Sequence, residues 1–552
     1  MVQRTALVIV LLFIVLTLQA QTDSLATALI PDSMELRVSF NDITDWIDND
    51  LGDNPFTDEI LPVEFMDIYG AAYHAVGLDQ GTKSYDYHGF ETIPGIFSRI
   101  YYLRNYLDFF DPEIRMNHLS LVNQSYTEPV LLTGVNAGLG EYDFNFVKIA
   151  LRKNEILTYP GFYYAGDFLG QRGLWTGIDH RQSAQKQFVS IRLGKFGLDA
   201  EYATWATDAG SQDLLPVYWQ TQNFVIDHQL SKLWGRLRTP LLDLSVLRTT
   251  EKAVATTEGL NSDSQITQIM AEKTLDLGNH HLTAGYEHAF TDLDYSSKPT
   301  MGGRLFEDKI RLNYHLRNSW MDAYFQAAQY DWQDESYNVD ISFNAKSWKI
   351  GVFEDYAPQA VDYEYIDIYS PAQIFNGVHQ LFTQNLGAYF EGKAGNQISF
   401  RTGISCPHQE IKTNIHRGSD NALIPDARIV YTGKQDKLSW SLDQYLAMNV
   451  IYSMPGVPFI RYQLRAEIVR DTGHDNAVFA GLAFRGNSDY DMINADETEI
   501  GDSSIWDVWA GLRISKLFDF TIAYKNILDS NIYGTYPIPS SFHASVRWVF
   551  VN

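Results

Sequence analysis

The chain carries one cysteine, Cys406, in 552 residues, so no internal disulfide staples it. That lone thiol has no His or Asn partner at a recognisable spacing and reads as structural or incidental rather than catalytic. Long apolar runs are missing too. After Leu18 no stretch approaches the roughly 20 apolar residues a spanning helix needs, which leaves a protein in water outside the cytoplasm or one that crosses a membrane as strands. Basic residues are scarce: 42 Lys and Arg stand against 68 Asp and Glu, a net charge of −26. With no Lys/Arg block anywhere, such a surface repels an anionic polymer, which excludes nucleic acid as a partner.

Recognisable catalytic patterns are lacking as well. Asp179-His180 and Asp227-His228 have neither a nucleophile elbow nor metal spacing, and His280-His281 point to opposite sides of any strand. Asp48, Asp50 and Asp53 lack the Gly and the distant Glu of an EF-hand. The acidic run Asp489, Asp491, Asp496, Glu497, Glu499, Asp502 reads as a solvated loop, with surface calcium as the sharper alternative. The expectation is no enzyme, no catalytic residue, no resident metal and no cofactor.

What is present starts with an export signal. Arg4 supplies a positive start, Ala6 to Leu18 is apolar apart from Thr17, and Leu18-Gln19-Ala20 offers a cleavage site, so residues 1–20 read as a signal peptide. Aromatic residues make up 14% of the chain, with 33 Tyr, 31 Phe and 12 Trp, as expected where rings line two membrane interfaces.

Residues 21–115 form a separate acidic segment, expected on the periplasmic side. Between Gln21 and Gly70 twelve acidic residues face a single basic one, Arg37. Further on, Ile96, Ile100, Leu103, Leu107 and Phe110 recur at steps of four and three between Pro94 and Pro112, which predicts a short helix or a reduced plug.

From about Asp143 a period of two takes over. Ile460, Tyr462, Leu464, Ala466 and Ile468 alternate with Arg461, Gln463, Arg465 and Glu467. Ile310, Leu312, Tyr314 and Leu316 interleave with Lys309, Arg311, Asn313 and His315. Trp506, Val508, Ala510, Leu512 and Ile514 interleave with Asp507, Trp509, Gly511, Arg513 and Ser515, and Phe518, Phe520, Ile522 and Tyr524 with Asp519, Thr521, Ala523 and Lys525. Runs of about 9 to 13 residues suit tilted membrane spans better than the roughly 5 to 6 of soluble strands.

Connections alternate between tight turns, such as Gly194-Lys195-Phe196-Gly197 and Leu277-Gly278-Asn279-His280, and long polar ones, such as Ala357 to Leu381 and Asn487 to Ser504. That inequality is the habit of outer-membrane barrels. The fold class is therefore all-β: a transmembrane antiparallel β-barrel of roughly 18 to 22 strands, an even number, over residues 116–552. Glu287, Lys309, Arg311, Lys349, Arg461, Arg465, Glu467, Asp507, Arg513, Asp519, Lys525 and Arg547 are the candidates for its lumen. There they either orient polar solutes by a transverse field or pair across strands to solvate the wall.

The last thirty residues resemble the C-terminal strands of TonB-dependent outer-membrane receptors. Tyr524-Lys525-Asn526-Ile527-Leu528-Asp529 and Tyr533 are similar to the Asn-Leu-Phe-Asp and Tyr pattern before their final turn. Tyr536-Pro537-Ile538-Pro539 leads into a closing strand in which Phe542, Ala544, Val546, Trp548 and Phe550 share one face. Val551 and Asn552 follow Phe550, where the aromatic residue is usually last. The resemblance implies an N-terminal plug and energised import with a TonB-type partner, and the closing strand resembles the signal read by the barrel assembly machinery. No plug motif is recognised between Gln21 and Tyr142, so the expectation is a plugless or reduced-plug, porin-like relative.

A wall of about 20 strands is too wide for its own side chains to fill. The leading expectation is thus diffusion of a hydrophilic solute through an open lumen in the cell outer membrane. The alternatives are active uptake of a bulky nutrient with a reduced plug or a surface-lipoprotein lid, and a secreted soluble β-protein that binds glycans through its rings.

Overall fold

The computed structural model describes residues 64–66, 73–75, 84–92, 111–115, 118–122 and most of 131–551, leaving out chiefly 211–224, 296–307, 362–378 and 529–539. The signal peptide and most of the acidic segment lie outside the described residues.

The wall is a closed antiparallel barrel of 22 strands. It starts at Leu132–Gly140, and that strand pairs with the last one, Ser541–Val551, so no edge is left unpaired. The barrel therefore begins at Leu132 rather than at residue 116. His118–Val122 pairs instead in a separate small sheet.

One wall strand is interrupted. Both Arg417–Asn421 and Ile424–Gln435 pair with Ile398–Lys412, and the break falls opposite Pro407. Proline has no N–H to give to the ladder; its carbonyl accepts from Ala422 N at 3.0 Å and the register resumes at Ile424.

At one end of the wall the turns are short. Gly194 (φ +61°) and Gly278 (φ +69°) each take the first place of a two-residue turn, where the twist of the flanking strands demands a positive φ. Asn318 Oδ1 accepts from Trp320 N at 3.0 Å and Met321 N at 2.7 Å, closing another. At the other end the strands run further than the sequence suggests: Trp348–Val361 and His379–Ala394 shorten the stretch 357–381 expected as a loop.

Burial alternates along each strand as the period of two demands. In His280–Tyr295, Gly285, Glu287 and Ala289 are buried while Tyr286 and Phe290 are exposed. Leu198, Leu233, Ile310, Val352, Leu512 and Trp548 are likewise exposed on the outside. Water would penalise an apolar surface of this extent, and acyl chains do not.

Rings gather on this outer face in two bands. Near the short turns Trp320 meets Phe343 (centroids 6.2 Å), Trp348 meets Phe390 (6.3 Å) and Phe518 meets Trp548 (6.5 Å). Towards the long loops Tyr337 meets Tyr356 (5.3 Å) and Phe484 meets Trp506 (4.5 Å). Amphipathic rings settle where a bilayer turns from hydrocarbon to headgroup, so the two bands mark its interfaces.

Depth should govern the cost of a charge on this face. Val508→Arg, between the bands, is expected to destabilise the folded barrel by about 2–4 kcal/mol, and Ile514→Arg, beside a short turn, by about 0–1 kcal/mol. Denaturant titration of the two variants in lipid vesicles checks the ordering.

Candidate functional site

The small sheet has four strands in the order Phe90–Thr92, Ser84–Tyr87, His118–Val122, Asp111–Arg115. Its central pair, Ser84–Tyr87 with His118–Val122, is parallel, and the outer pairs are antiparallel. The stretch expected as a short helix, Ile96 to Phe110, lies outside the described residues, and the strands Phe90–Thr92 and Asp111–Arg115 flank it. Pro112 sits in an edge strand of this sheet, where a missing N–H costs no ladder bond.

A tight hairpin joins the first two strands. Tyr87 and Phe90 are register partners, with His88 (φ 54°) and Gly89 (φ 86°) between them. Two successive positive φ values define the two-residue turn that suits a right-twisted ribbon, and His is among the side chains that tolerate the first of them.

The inner face of the wall grips this hairpin. Tyr87 Oη donates to Glu201 Oε1, His88 Nε2 lies 3.2 Å from Glu201 Oε2, and Lys186 Nζ approaches the same oxygen at 3.7 Å. The His88 ring stacks on Trp234 (centroids 4.1 Å, interplanar angle 24°), and Lys232 Nζ sits 4.3 Å from the centre of the Tyr87 ring. Arg311 donates to the Gly89 carbonyl and, at 2.6 Å, to Glu272, which also accepts from Arg236 at 2.7 Å. Tyr87, Phe90, Glu201, Lys186 and Trp234 are all buried.

Charge burial of this kind is tolerated only with good pairing. Glu201 meets the requirement by collecting a phenol, an imidazole and an ammonium on one carboxylate. Nearby, Arg152 pairs with Asp167 at 2.7 Å, both 2% exposed.

The residues expected in the lumen, Lys525 apart, lie on the inner side of the wall in three groups. Glu287 accepts from Gln268 Nε2 at 2.9 Å and is the register neighbour of Lys309, whose Nζ lies 5.2 Å from the centre of the Tyr330 ring. With Arg311 these belong to the arc that faces the hairpin.

Lys349 Nζ lies 5.2 Å from the centre of the Tyr389 ring, on a different arc. There Arg465 approaches Glu467 at 3.7 Å, and Glu467 accepts from Trp509 Nε1 at 3.3 Å. Arg461 and Asp507 are buried, and Asp507 accepts from Asn526 N at 2.8 Å. In the third group Asp519 joins Arg513 (3.0 Å) and Arg547 (2.6 Å) beside a short turn. Lys525 shares the register of Asp519, but its side chain lies outside the described residues. In the closing strand Phe542 and Trp548 are exposed on the outer face, while Ala544, Val546 and Phe550 share it half-buried.

Sequence reasoning missed Glu201, Trp234, Lys232, Lys186 and Glu272. A signal existed for Glu201, since Leu198, Ala200 and Tyr202 alternate with Asp199 and Glu201. Trp234 carried none, because an inward ring looks like an outward one. The acidic run 489–502 contributes two short strands, Tyr490–Asp491 and Glu499–Ile500; Asp489, Asp496 and Glu497 lie outside the described residues, as does the calcium alternative.

No family model matches the chain, and no curated protein matches its sequence. Solved structures do match its fold. The FrpB iron transporter from Neisseria meningitidis superposes with a TM-score of 0.65 at 8% identity, covering 87% of this chain and 93% of its own. The siderophore receptor PirA from Pseudomonas aeruginosa gives 0.62 at 10% identity, covering 87% and 93%. The ferripyoverdine receptor of the outer membrane of the same organism, bound to ferripyoverdine, gives 0.59 at 11% identity, covering 87% and 81%. At such identities the likeness is one of fold.

Removing Glu201 separates the hairpin from its seat. Glu201→Ala removes the carboxylate that Tyr87, His88 and Lys186 share, a change worth about 3–5 kcal/mol, and Gly89→Val places a β-branched residue at positive φ for about 1–2 kcal/mol. Both variants are expected to expose residues 84–92 to limited proteolysis while the wall stays intact, read by mass spectrometry of the fragments.

Proposed function

We propose that this chain is an outer-membrane importer of a bulky hydrophilic nutrient whose lumen is occupied by the small sheet, rather than the open diffusion channel expected from the sequence. The observation that carries this reading is the hairpin Tyr87 to Phe90, seated on Glu201, Trp234 and Arg311 of the inner wall. A diffusion channel needs water where that hairpin sits.

The fold likeness to an iron transporter and to siderophore receptors supports the same reading and makes a ferric chelate the first solute class to test. A buried, paired seat does not open by thermal motion alone when each broken charge pair costs several kcal/mol. Import therefore calls for work done on the sheet from the short-turn side, which is the part a TonB-type partner would play. Cleavage of residues 1–20, recognition of the closing strand by the assembly machinery and a surface-lipoprotein lid belong to the same proposal. The soluble glycan-binding alternative would leave the outer apolar face in water and has nothing in its favour.

Planar-bilayer recording of the purified protein distinguishes the two transport readings. A silent membrane is expected for the wild type, with channel openings appearing in Glu201→Ala. A stable open channel from the wild type would overturn the importer and restore diffusion.

A further inference from the structure

The inner wall is not uniformly covered, and the asymmetry persists between residues at similar positions counted along their strands from the short-turn rim. Asp199 and Arg401 are each the fourth residue of a strand rising from that rim, yet Asp199 is 1% exposed and Arg401 28%. Glu201 and Asp443 are each the sixth, at 1% and 17%. On descending strands Lys186, eighth from the end, is 2% exposed and Arg465, ninth from the end, 19%. The first member of every pair belongs to the arc that seats the hairpin. The second belongs to the arc from His379–Ala394 to Ile460–Gly473.

We infer that the lower half of this second arc is a water-filled exit vestibule, open at the short-turn rim, along which an anionic solute leaves the barrel. The inference rests on the importer reading and adds where the solute goes and what it carries. In the same arc Tyr389 bounds the wet region on one side, and higher up Tyr445 and Gln463 are buried, so it is closed towards the long loops.

Its chemistry is a ladder of arginine and carboxylate. Arg401 and Arg428 are register partners. Arg401 lies 3.6 Å from Glu391, Arg428 holds Asp443 through two bonds of 2.5 and 3.0 Å, and Arg465 lies 3.7 Å from Glu467. Arg401 and Arg465 also lie 5.3 Å from the ring centres of Tyr389 and Trp509.

Half-exposed pairs of this kind contribute about 0–1 kcal/mol each, so a passing carboxylate can replace the resident one at little cost. A planar guanidinium offers such oxygens two parallel donors and keeps its charge throughout. Arg401 faces Arg428 in the register, and Asp443, bonded to Arg428, is the register partner of Arg465, so an anion can move from one guanidinium to the next. On the seat side, above the partly exposed arginines of the rim, the same exchange would break buried pairs such as Arg152–Asp167 and Lys186–Glu201, and the path is closed.

Thiol accessibility tests this. In the full chain carrying Cys406→Ser and reconstituted in liposomes, single cysteines replace serines of the inner face: Ser441→Cys and Ser399→Cys in the vestibule, Ser190→Cys and Ser245→Cys in the seat. Ser190 and Ser441 are each four residues from the rim. A water-soluble anionic thiosulfonate is expected to modify the vestibule pair at least tenfold faster than the seat pair. Equal or reversed rates overturn the vestibule.

A second measurement uses Arg428→Gln with the Ser441→Cys reporter. Citrate is expected to slow modification of Ser441→Cys, and Arg428→Gln to weaken that protection several-fold. Protection unchanged by Arg428→Gln overturns the anion ladder. Both readouts are independent of channel silence, so the importer reading and the vestibule fail separately.

Discussion

Backbone amides in hydrocarbon have no water to bond, and this constraint governs the molecule. Every N–H and C=O that crosses the membrane must find a partner in the chain, and a sheet meets that demand only by closing on itself. Closure then divides each strand between two solvents. Leu512 and Val508 meet acyl chains while Asp507 and Arg513 of the same strand turn to the interior. The division leaves the wall's ionic groups in an enclosed space, where each must be wetted or paired. Both solutions occur here: Glu201 is buried and paired to the hairpin, and Arg401 is paired but wet.

The pairing on the seat side links the architecture to function. A sheet held only by apolar contact could slide in the lumen, because dispersion is indifferent to direction. The Glu201 cluster and the Arg311 bond to the Gly89 carbonyl are directional, and they fix the hairpin at one height and one azimuth. Stacking of His88 on Trp234 adds a flat contact that resists tilting. A seat built this way resists sliding and tilting until its charge pairs break, as the proposed importer requires.

Much of the wall was legible in the sequence because its outer residues are large and apolar while its inner ones are charged. Ile460 to Ile468 is the clearest instance, and the two faces of that strand follow from it. Legibility failed where the outer face is itself polar. Ser183, Gln185 and Gln187 face outward opposite Ala184, Lys186 and Phe188, and no period survives that mixture. The small sheet was hidden for another reason. Its strands are short, its hairpin is a two-residue His-Gly turn, and Tyr87 reaches Glu201 across 114 positions of sequence. Nothing local in either segment announces the other.

The seam between Leu132–Gly140 and Ser541–Val551 has a consequence for biogenesis. Phe542 N donates to Glu141 Oε2 at 2.8 Å across 401 positions, so the ladder that completes the cylinder is the least local one among the described residues. Topologies that depend on such remote partners form slowly, and until the last ribbon docks, two raw margins invite association with other chains. The hairpin Tyr87 to Phe90 lies ahead of Leu132 in the chain and is seated on the inner wall, so the seam that closes the wall also encloses it. The ribbon Ser541–Val551 thus completes two things at once, the hydrogen-bonded ladder of the wall and the enclosure of the hairpin.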